Sequence, residues 1–266
     1  MGSGASAGAY DEQVLTQQSR TRTADSLPRP VRQAFSRPLP YVVLVFILTT
    51  AGLALDSQGG LAEQHLLGLV VTGFLLMSLV PLSPIERTRT LIVIVVATIA
   101  EVIGSLIWGA YEYRLSNLPL FVPPGHGIVY LTGLRISEIG IVRRNARRFV
   151  LAVALAAGTW AVLGLTVLPR SDVAGAIGVA FLIVFLLGGR APTVYAGVFV
   201  MVAYLELYGT WIGTWTWAEE LPGTGITNGN PPSGIAAGYV FFDICALALA
   251  PLVLALIVRA RQRLSW

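Results

Sequence analysis

Eight apolar stretches, set off by short arginine-bearing loops, limit this chain to very few architectures. They run over residues 40–55, 64–82, 90–110, 124–142, 149–168, 172–189, 193–214 and 234–258. At about 1.5 Å of rise per residue, each crosses or nearly crosses roughly 30 Å of hydrocarbon when helical. Lipid offers backbone groups no water, so segments of this kind span as helices. Only 12% of the 266 residues are charged and the mean hydropathy is +0.72, where soluble domains carry about 25% charge. The chain reads as an all-α polytopic membrane protein. Its fourth stretch is interrupted by Arg135, Ser137 and Glu138.

The arginines give the orientation. Arg20, Arg22, Arg29, Arg32 and Arg37 precede the first stretch, and Arg87, Arg89, Arg143, Arg144, Arg147, Arg148, Arg190, Arg259, Arg261 and Arg263 lie in or beside alternate loops and the C-terminus. The opposite loops hold Arg114 and Arg170 beside Asp56, Glu63, Glu112, Asp172, Glu219 and Glu220. The positive-inside rule then places both termini in the cytoplasm and demands an even number of spans in a cell (inner) membrane. Residues 1–38 are polar and carry no apolar signal-peptide core, the composition of a disordered cytoplasmic tail. Despite a pI near 9.5, the arginines serve topology and imply no nucleic-acid partner.

Within the apolar stretches one phrase occurs twice. Glu101-x-x-Gly104 leads to Gly109-x-Tyr111-x-Tyr113 and a loop ending in Pro123-Pro124; Glu206-x-x-Gly209 leads to Gly213-x-Trp215-x-Trp217 and a loop ending in Pro231-Pro232. The repeat predicts two four-helix units, residues 39–142 and 143–266. Four spans per unit is an even number, so the units enter the membrane in the same sense, related by a pseudo-twofold axis along its normal. Arg135 and Asp243 each stand eleven residues after the second proline, at one expected depth, and are the expected structural ion pair; Glu138 is the rival partner for Arg135.

The acids carry the candidate chemistry. A carboxylate within a span costs a few kcal/mol and needs a partner, water or a proton. If symmetry brings Glu101 and Glu206 together, they can share a proton, and a neutral acid in an apolar cavity can protonate a carbon–carbon double bond. Glu101, Glu206, His126 and Asp243 are the candidate catalytic residues. Trp108, Tyr111, Tyr113, Tyr130, Trp211, Trp215, Trp217 and Tyr239 are the candidate substrate-binding residues, able to form an aromatic mouth that stabilises a carbocation or, more plainly, an interfacial belt. Gly104, Gly109, Gly209 and Gly213 have the spacing of helix-contact glycines. Cys245 reads as a buried structural thiol. No P-loop, dinucleotide fingerprint, metalloprotease or nucleophile-elbow motif is present, two distant histidines make no zinc site, and the absence of lysine excludes Schiff-base chemistry. No cofactor and no metal are expected.

The run Glu101-x-x-Gly-x-x-x-x-Gly-x-Tyr-x-Tyr113, with its loop into Leu120-Phe-Val-Pro123, resembles the signature of membrane-bound carotenoid-biosynthesis hydratases, among them the bisanhydrobacterioruberin hydratases. The resemblance covers this run and the number of spans. That family carries Phe-Gly before its paired tyrosines where this chain has Trp108-Gly109. It implies a carotenoid substrate, addition of water across a terminal double bond and Glu101 as the acid. The expected function is thus metal-free protonation of a lipid-soluble isoprenoid, giving hydration or cyclisation. A proton-coupled carrier or pore for a small solute, and a non-catalytic membrane scaffold, are the alternatives.

Overall fold

The computed structural model describes residues 35–264. The expected disordered tail, residues 1–38, lies almost wholly outside them. Long helices occupy every apolar stretch: α1 (Pro38–Gln58), α2 (Leu61–Leu79), α3 (Pro84–Glu101), α4 (Val122–Glu138), α6 (Ala146–Thr166), α7 (Val173–Gly188), α8 (Pro192–Trp211) and α9 (Ala236–Leu264), with a short α5 (Gly140–Arg144) between α4 and α6. Six are long and apolar enough to cross a membrane; α7 is apolar but shorter, and α4 has 17 residues.

Local sequence explains the starts. Pro38, Pro84 and Pro192 stand in the first turns of α1, α3 and α8, where a missing N–H costs nothing. Ser83 and Glu86 form a capping box before α3, satisfying two of its orphan backbone donors.

Lipid-facing and protein-facing helices separate cleanly. Leu69, Leu155, Leu187 and Leu256 are among many large apolar side chains left exposed on the outer helices, the surface hydrocarbon would cover. By contrast α4 and α8 bury 11 and 9 residues respectively and form the centre. Arg135, Ser137 and Glu138 sit in the last turn of α4, where Arg135 is paired with the partly exposed Glu138. The broadest helix contacts are α3 on α9 and α4 on α8. Around them, α6 and α7 both pack against α8, whereas α1 and α2 pack chiefly on α4.

Two small ribbons cap one end. Strand β1 (Tyr111–Tyr113) pairs antiparallel with β2 (Trp215–Trp217), matching Tyr111 to Trp217, Glu112 to Thr216 and Tyr113 to Trp215. Strands β3 (Glu220–Leu221) and β4 (Ile226–Thr227) form a separate hairpin. Below the first ribbon, Leu53, Tyr113, Phe121, Val122, Trp215 and Trp217 make a core of their own, apart from the main one.

One expected contact is not formed. Arg135 donates to Glu138 Oε2 at 2.7 Å, while Asp243 Oδ2 is buried without a hydrogen-bond partner. Equal depth did not bring Arg135 and Asp243 together; Glu138, three residues along the same helix, is already within reach of the guanidinium. Cys245 is half-buried rather than enclosed.

Candidate functional site

The doubled phrase is a device for gripping a carboxylate. Tyr111 Oη donates to Glu101 Oε2 at 2.6 Å and Tyr113 Oη donates to the same oxygen at 2.8 Å. In the second copy, Trp215 Nε1 and Trp217 Nε1 donate to Glu206 Oε2 at 2.9 and 3.1 Å. Each helix ends, the chain reverses, and alternate residues of a strand point back down at the acid, as the two-residue period of a strand requires.

The glycines make the reversal possible, and they are not the helix-contact residues that their spacing suggested. Gly109 and Gly213 hold φ of 75° and 78°, a left-handed turn that glycine adopts without strain. Gly104 and Gly209 are seats for rings. A Cβ at residue 104 would stand 3.0 Å from the Tyr111 ring, and one at residue 209 only 2.1 Å from the Trp215 ring.

The first copy has one residue more between its glutamate and its turn, eight steps against seven. A π-helical turn, Val102–Ile107, absorbs it directly after Glu101. Trp108 N–H accordingly bonds to Ile103 O, five residues back, at 2.8 Å. A π-bulge takes in one more residue and leaves the next stretch of chain in line, so both aromatic pairs still face their acids.

The loops are anchored by acids that sequence reading placed only as outer-loop charges. Asp172 caps α7 through Gly175 N–H at 3.0 Å and also accepts from Gly229 N–H at 2.8 Å and Ser233 N–H at 2.7 Å. Asn230 Oδ1 accepts from Trp217 N–H at 3.0 Å. On the other side, Gln64 donates to Asp56 at 2.9 Å and accepts from Asn117 at 2.7 Å, and Arg114 bonds the Asp56 and Gly59 carbonyls.

Beneath the ribbon lies a cavity of about 460 Å³. Glu101, Glu206, His126, Trp108, Tyr111, Tyr113, Trp215, Trp217 and Tyr239 all line it. The chain's repetition thus brings both glutamates into one chamber. His126 Nε2 lies 2.9 Å from Glu101 Oε1, and its ring stacks obliquely on Tyr239 with centroids 5.1 Å apart. Three expected site residues stand elsewhere. Asp243 and Tyr130 are buried outside the lining, one helical turn beyond Tyr239 and His126, and Trp211 is 80% exposed beside Tyr208. Asp243 and Tyr130 are expected from their register on the helices and Trp211 from its place among the outer aromatics, and neither tells where the chamber ends.

The remaining walls are apolar and were not foreseen: Val45, Leu53 and Leu67 from α1 and α2, and Phe242 from α9. Among the described residues, Thr49 of α1 is the one polar side chain that α1 and α2 contribute. Leu48, Leu55 and Val70 also line the chamber while remaining 42%, 66% and 57% exposed, so it opens sideways on the flank that lipid would cover.

The two acids have different surroundings. Glu101 has two phenols and an imidazole, the partners of a carboxylate. Burial, reinforced by the neighbouring Glu101 carboxyl, pushes both ribbon phenols well above the ordinary tyrosine value, so they persist as donors. Glu206 has two indoles, which donate and cannot accept. A proton on Glu206 must therefore sit on Oε1, the oxygen with no protein partner. Tyr239 lies within electrostatic range of both acids. Among the described residues, no cluster of three or more His, Cys, Asp or Glu side chains could hold a metal ion.

Comparison with known proteins leaves the geometry to speak alone: no protein-family model, no curated protein and no solved structure matches this chain.

Proposed function

We propose that the protein is an integral membrane enzyme that protonates a lipid-soluble isoprenoid, of the carotenoid or terpenoid class, in the chamber under the aromatic ribbon. One observation carries this reading: two buried glutamates share an apolar chamber whose mouth is walled by lipid-exposed leucines. A substrate dissolved in the bilayer could enter there without crossing water.

In this reading Glu206 is the acid. Its Oε1 proton passes to one carbon of a double bond, and the other carbon becomes cationic. The faces of Tyr111, Trp215 and Trp217 stabilise that cation, worth about 1–2 kcal/mol per well-placed ring when desolvated. For hydration, water attacks the cation and loses a proton to Glu101, whose imidazole partner His126 helps hold it. For cyclisation, a second double bond attacks and a neighbouring carbon loses the proton instead. Either way one proton leaves Glu206 and one reaches Glu101, and Tyr239, within electrostatic range of both, is the group for its return. The resemblance assigned the acid role to Glu101; the donor-only indoles of Glu206 favour the opposite assignment.

The finer architecture belongs to the same proposal: eight spans as two parallel four-helix repeats with cytoplasmic termini. The exchange of partners, α3 with α9 and α4 with α8, is what a pseudo-twofold would produce. Parallel repeats around internal acids favour, as a second reading, a proton-coupled carrier.

Reconstituted protein supplied with linear isoprenoids tests the choice. Loss of product in both Glu206→Gln and Glu101→Gln is expected, by a factor of about 10²–10⁴ for loss of a general acid or base. Product formation unchanged in both variants would sink the enzyme reading. Uptake of a solute driven by a pH gradient, with the lipid chemically unaltered, would select the carrier.

A further inference from the structure

Directly beyond the chamber, and unused by the protonation chemistry, is a column of buried ionisable groups. Tyr130 lies one turn from His126 on α4, and Asp243 one turn from Tyr239 on α9, about 6 Å farther along each helix axis. All but Tyr239, which is half-buried, are almost fully enclosed: His126 is 4% exposed, Tyr130 5% and Asp243 2%. Tyr130 interacts electrostatically with Asp243, and the Arg89 guanidinium lies beside its hydroxyl. Arg89 belongs to the arginine-bearing end of α3. The order along the column is therefore Glu101, His126, then Tyr130 with Asp243, then Arg89.

Three polar atoms on this column are buried without a hydrogen-bond partner: His126 Nδ1, Asp243 Oδ2 and Arg89 Nε. Buried polar atoms are nearly always satisfied, and those that lack a protein partner are where ordered waters bridge. Seven such side-chain atoms occur among the described residues, and three of them fall on this one line. Among the described residues no cation pairs with the carboxyl of Asp243. The titratable groups facing it are Tyr130 from α4 and Tyr195 from α8, with Arg89 of α3 behind Tyr130; α7, which also packs on α9, contributes no ionisable side chain.

We propose that Asp243 and Tyr130 form a proton relay connecting the arginine-bearing end of α3 to His126, and through it to Glu101. Asp243 hands its proton, across bridging water, to His126 Nδ1 as the Nε2 proton passes to Glu101 Oε1. Water at the Arg89 end restores the proton to Asp243 through the Tyr130 hydroxyl. Each pass moves one proton from that water to Glu101, the same steps reversed carry off a proton that Glu101 has taken up, and His126 regains its starting tautomer when its ring turns or the reverse pass runs. Arg89 itself stays protonated and orients water. The relay rests on the reading that Glu101 and His126 exchange protons, but it does not depend on what the substrate is.

The chain has two histidines, so His65→Gln leaves His126 as the single isotope-labelled histidine visible by NMR in lipid nanodiscs. The rate at which its ring N–H exchanges with solvent is the readout. Asp243→Asn should slow exchange by on the order of tenfold or more, the scale of removing a positioned proton-transfer group, and Asp243→Glu should restore most of it. Exchange at the wild-type rate in Asp243→Asn overturns the relay. Should that variant fail to fold, Tyr130→Phe decides in its place: slowed exchange supports the relay and an unchanged rate overturns it. No substrate or turnover enters the measurement, so failure of the enzyme reading and failure of the relay are told apart.

Discussion

Tyr111 and Trp217 face each other across the β1–β2 ribbon with ring centroids 4.5 Å apart, and each reaches back to a different glutamate. The tyrosine donates to Glu101 and the tryptophan to Glu206. The tilted pair thus links the two acids through one ring contact, so a ring displaced on one side should disturb the carboxyl on the other.

That coupling can be measured. Tyr111→Phe removes one hydrogen bond to a carboxyl, a loss of about 1.5–3 kcal/mol if Glu101 is charged, while leaving the ring. Trp217→Phe removes a bond and part of a ring. A double-mutant cycle that removes the rings themselves, Tyr111→Leu with Trp217→Leu, read on thermal stability, should give an interaction energy of about 0.5–1.5 kcal/mol for the aromatic pair. A value indistinguishable from zero would mean that the two grips act independently.

The glycine seats predict an ordered pair of defects. Gly209→Ala drives a Cβ to 2.1 Å from the Trp215 ring, whereas Gly104→Ala meets Tyr111 at 3.0 Å. Overpacking of the first kind costs typically about 1–3 kcal/mol and must tilt Trp215 away from Glu206. Gly209→Ala should lower the melting temperature more than Gly104→Ala and shift the tryptophan emission. Equal effects would contradict the seating.

Alkali should loosen the site in a defined direction. The Tyr111 and Tyr113 phenols are held well above the ordinary value, first by burial and then by the Glu101 carboxyl. In the unfolded chain they ionise near pH 10. Their contribution is therefore complete below about pH 10 and declines as pH rises beyond it, because the unfolded state then loses protons that the folded state keeps. A Tyr111→Phe, Tyr113→Phe double variant should show a shallower loss of stability above about pH 10 than the wild type. Parallel curves would refute this assignment.

Asp172 secures the loop that carries Asn230, and so the second grip. It accepts three backbone N–H groups, each bond to a charged acceptor being worth about 1.5–3 kcal/mol. Asp172→Ala should leave residues 229–233 open to proteolysis while Glu101 keeps its partners. Protease resistance equal to that of the wild type would show that the loop is held by other contacts.

Much of this is legible in the order of the residues. Apolar runs place the helices, since lipid imposes length and composition together, but not all their ends: α3 starts at Pro84, well before its run, and α9 continues to Leu264, well past its own. The two copies of Glu, Gly, Gly and paired aromatics announce a shared device. What the spacing conceals is its sense. Glycines separated by three or four residues look alike whether they admit a neighbouring helix or a neighbouring ring, and only the positive φ of Gly109 and Gly213 separates the cases. Equal depth suggested that Arg135 meets Asp243, but depth says nothing of azimuth, and Glu138 lay closer. The walls from α1 and α2 were silent because leucine and valine facing a chamber read the same as leucine and valine facing lipid.

Backbone bonds of the ribbon, extended by Arg114 N–H to Thr214 O and Ala218 N–H to Ala110 O, lash the far ends of α3 and α8 into one piece. A rocking motion that parted the halves at that end would have to unzip it. The chamber's opening lies instead beside α1 and α2, which pack chiefly on α4, so the roof is tied across both halves while the flank, among the described residues, carries no such strap.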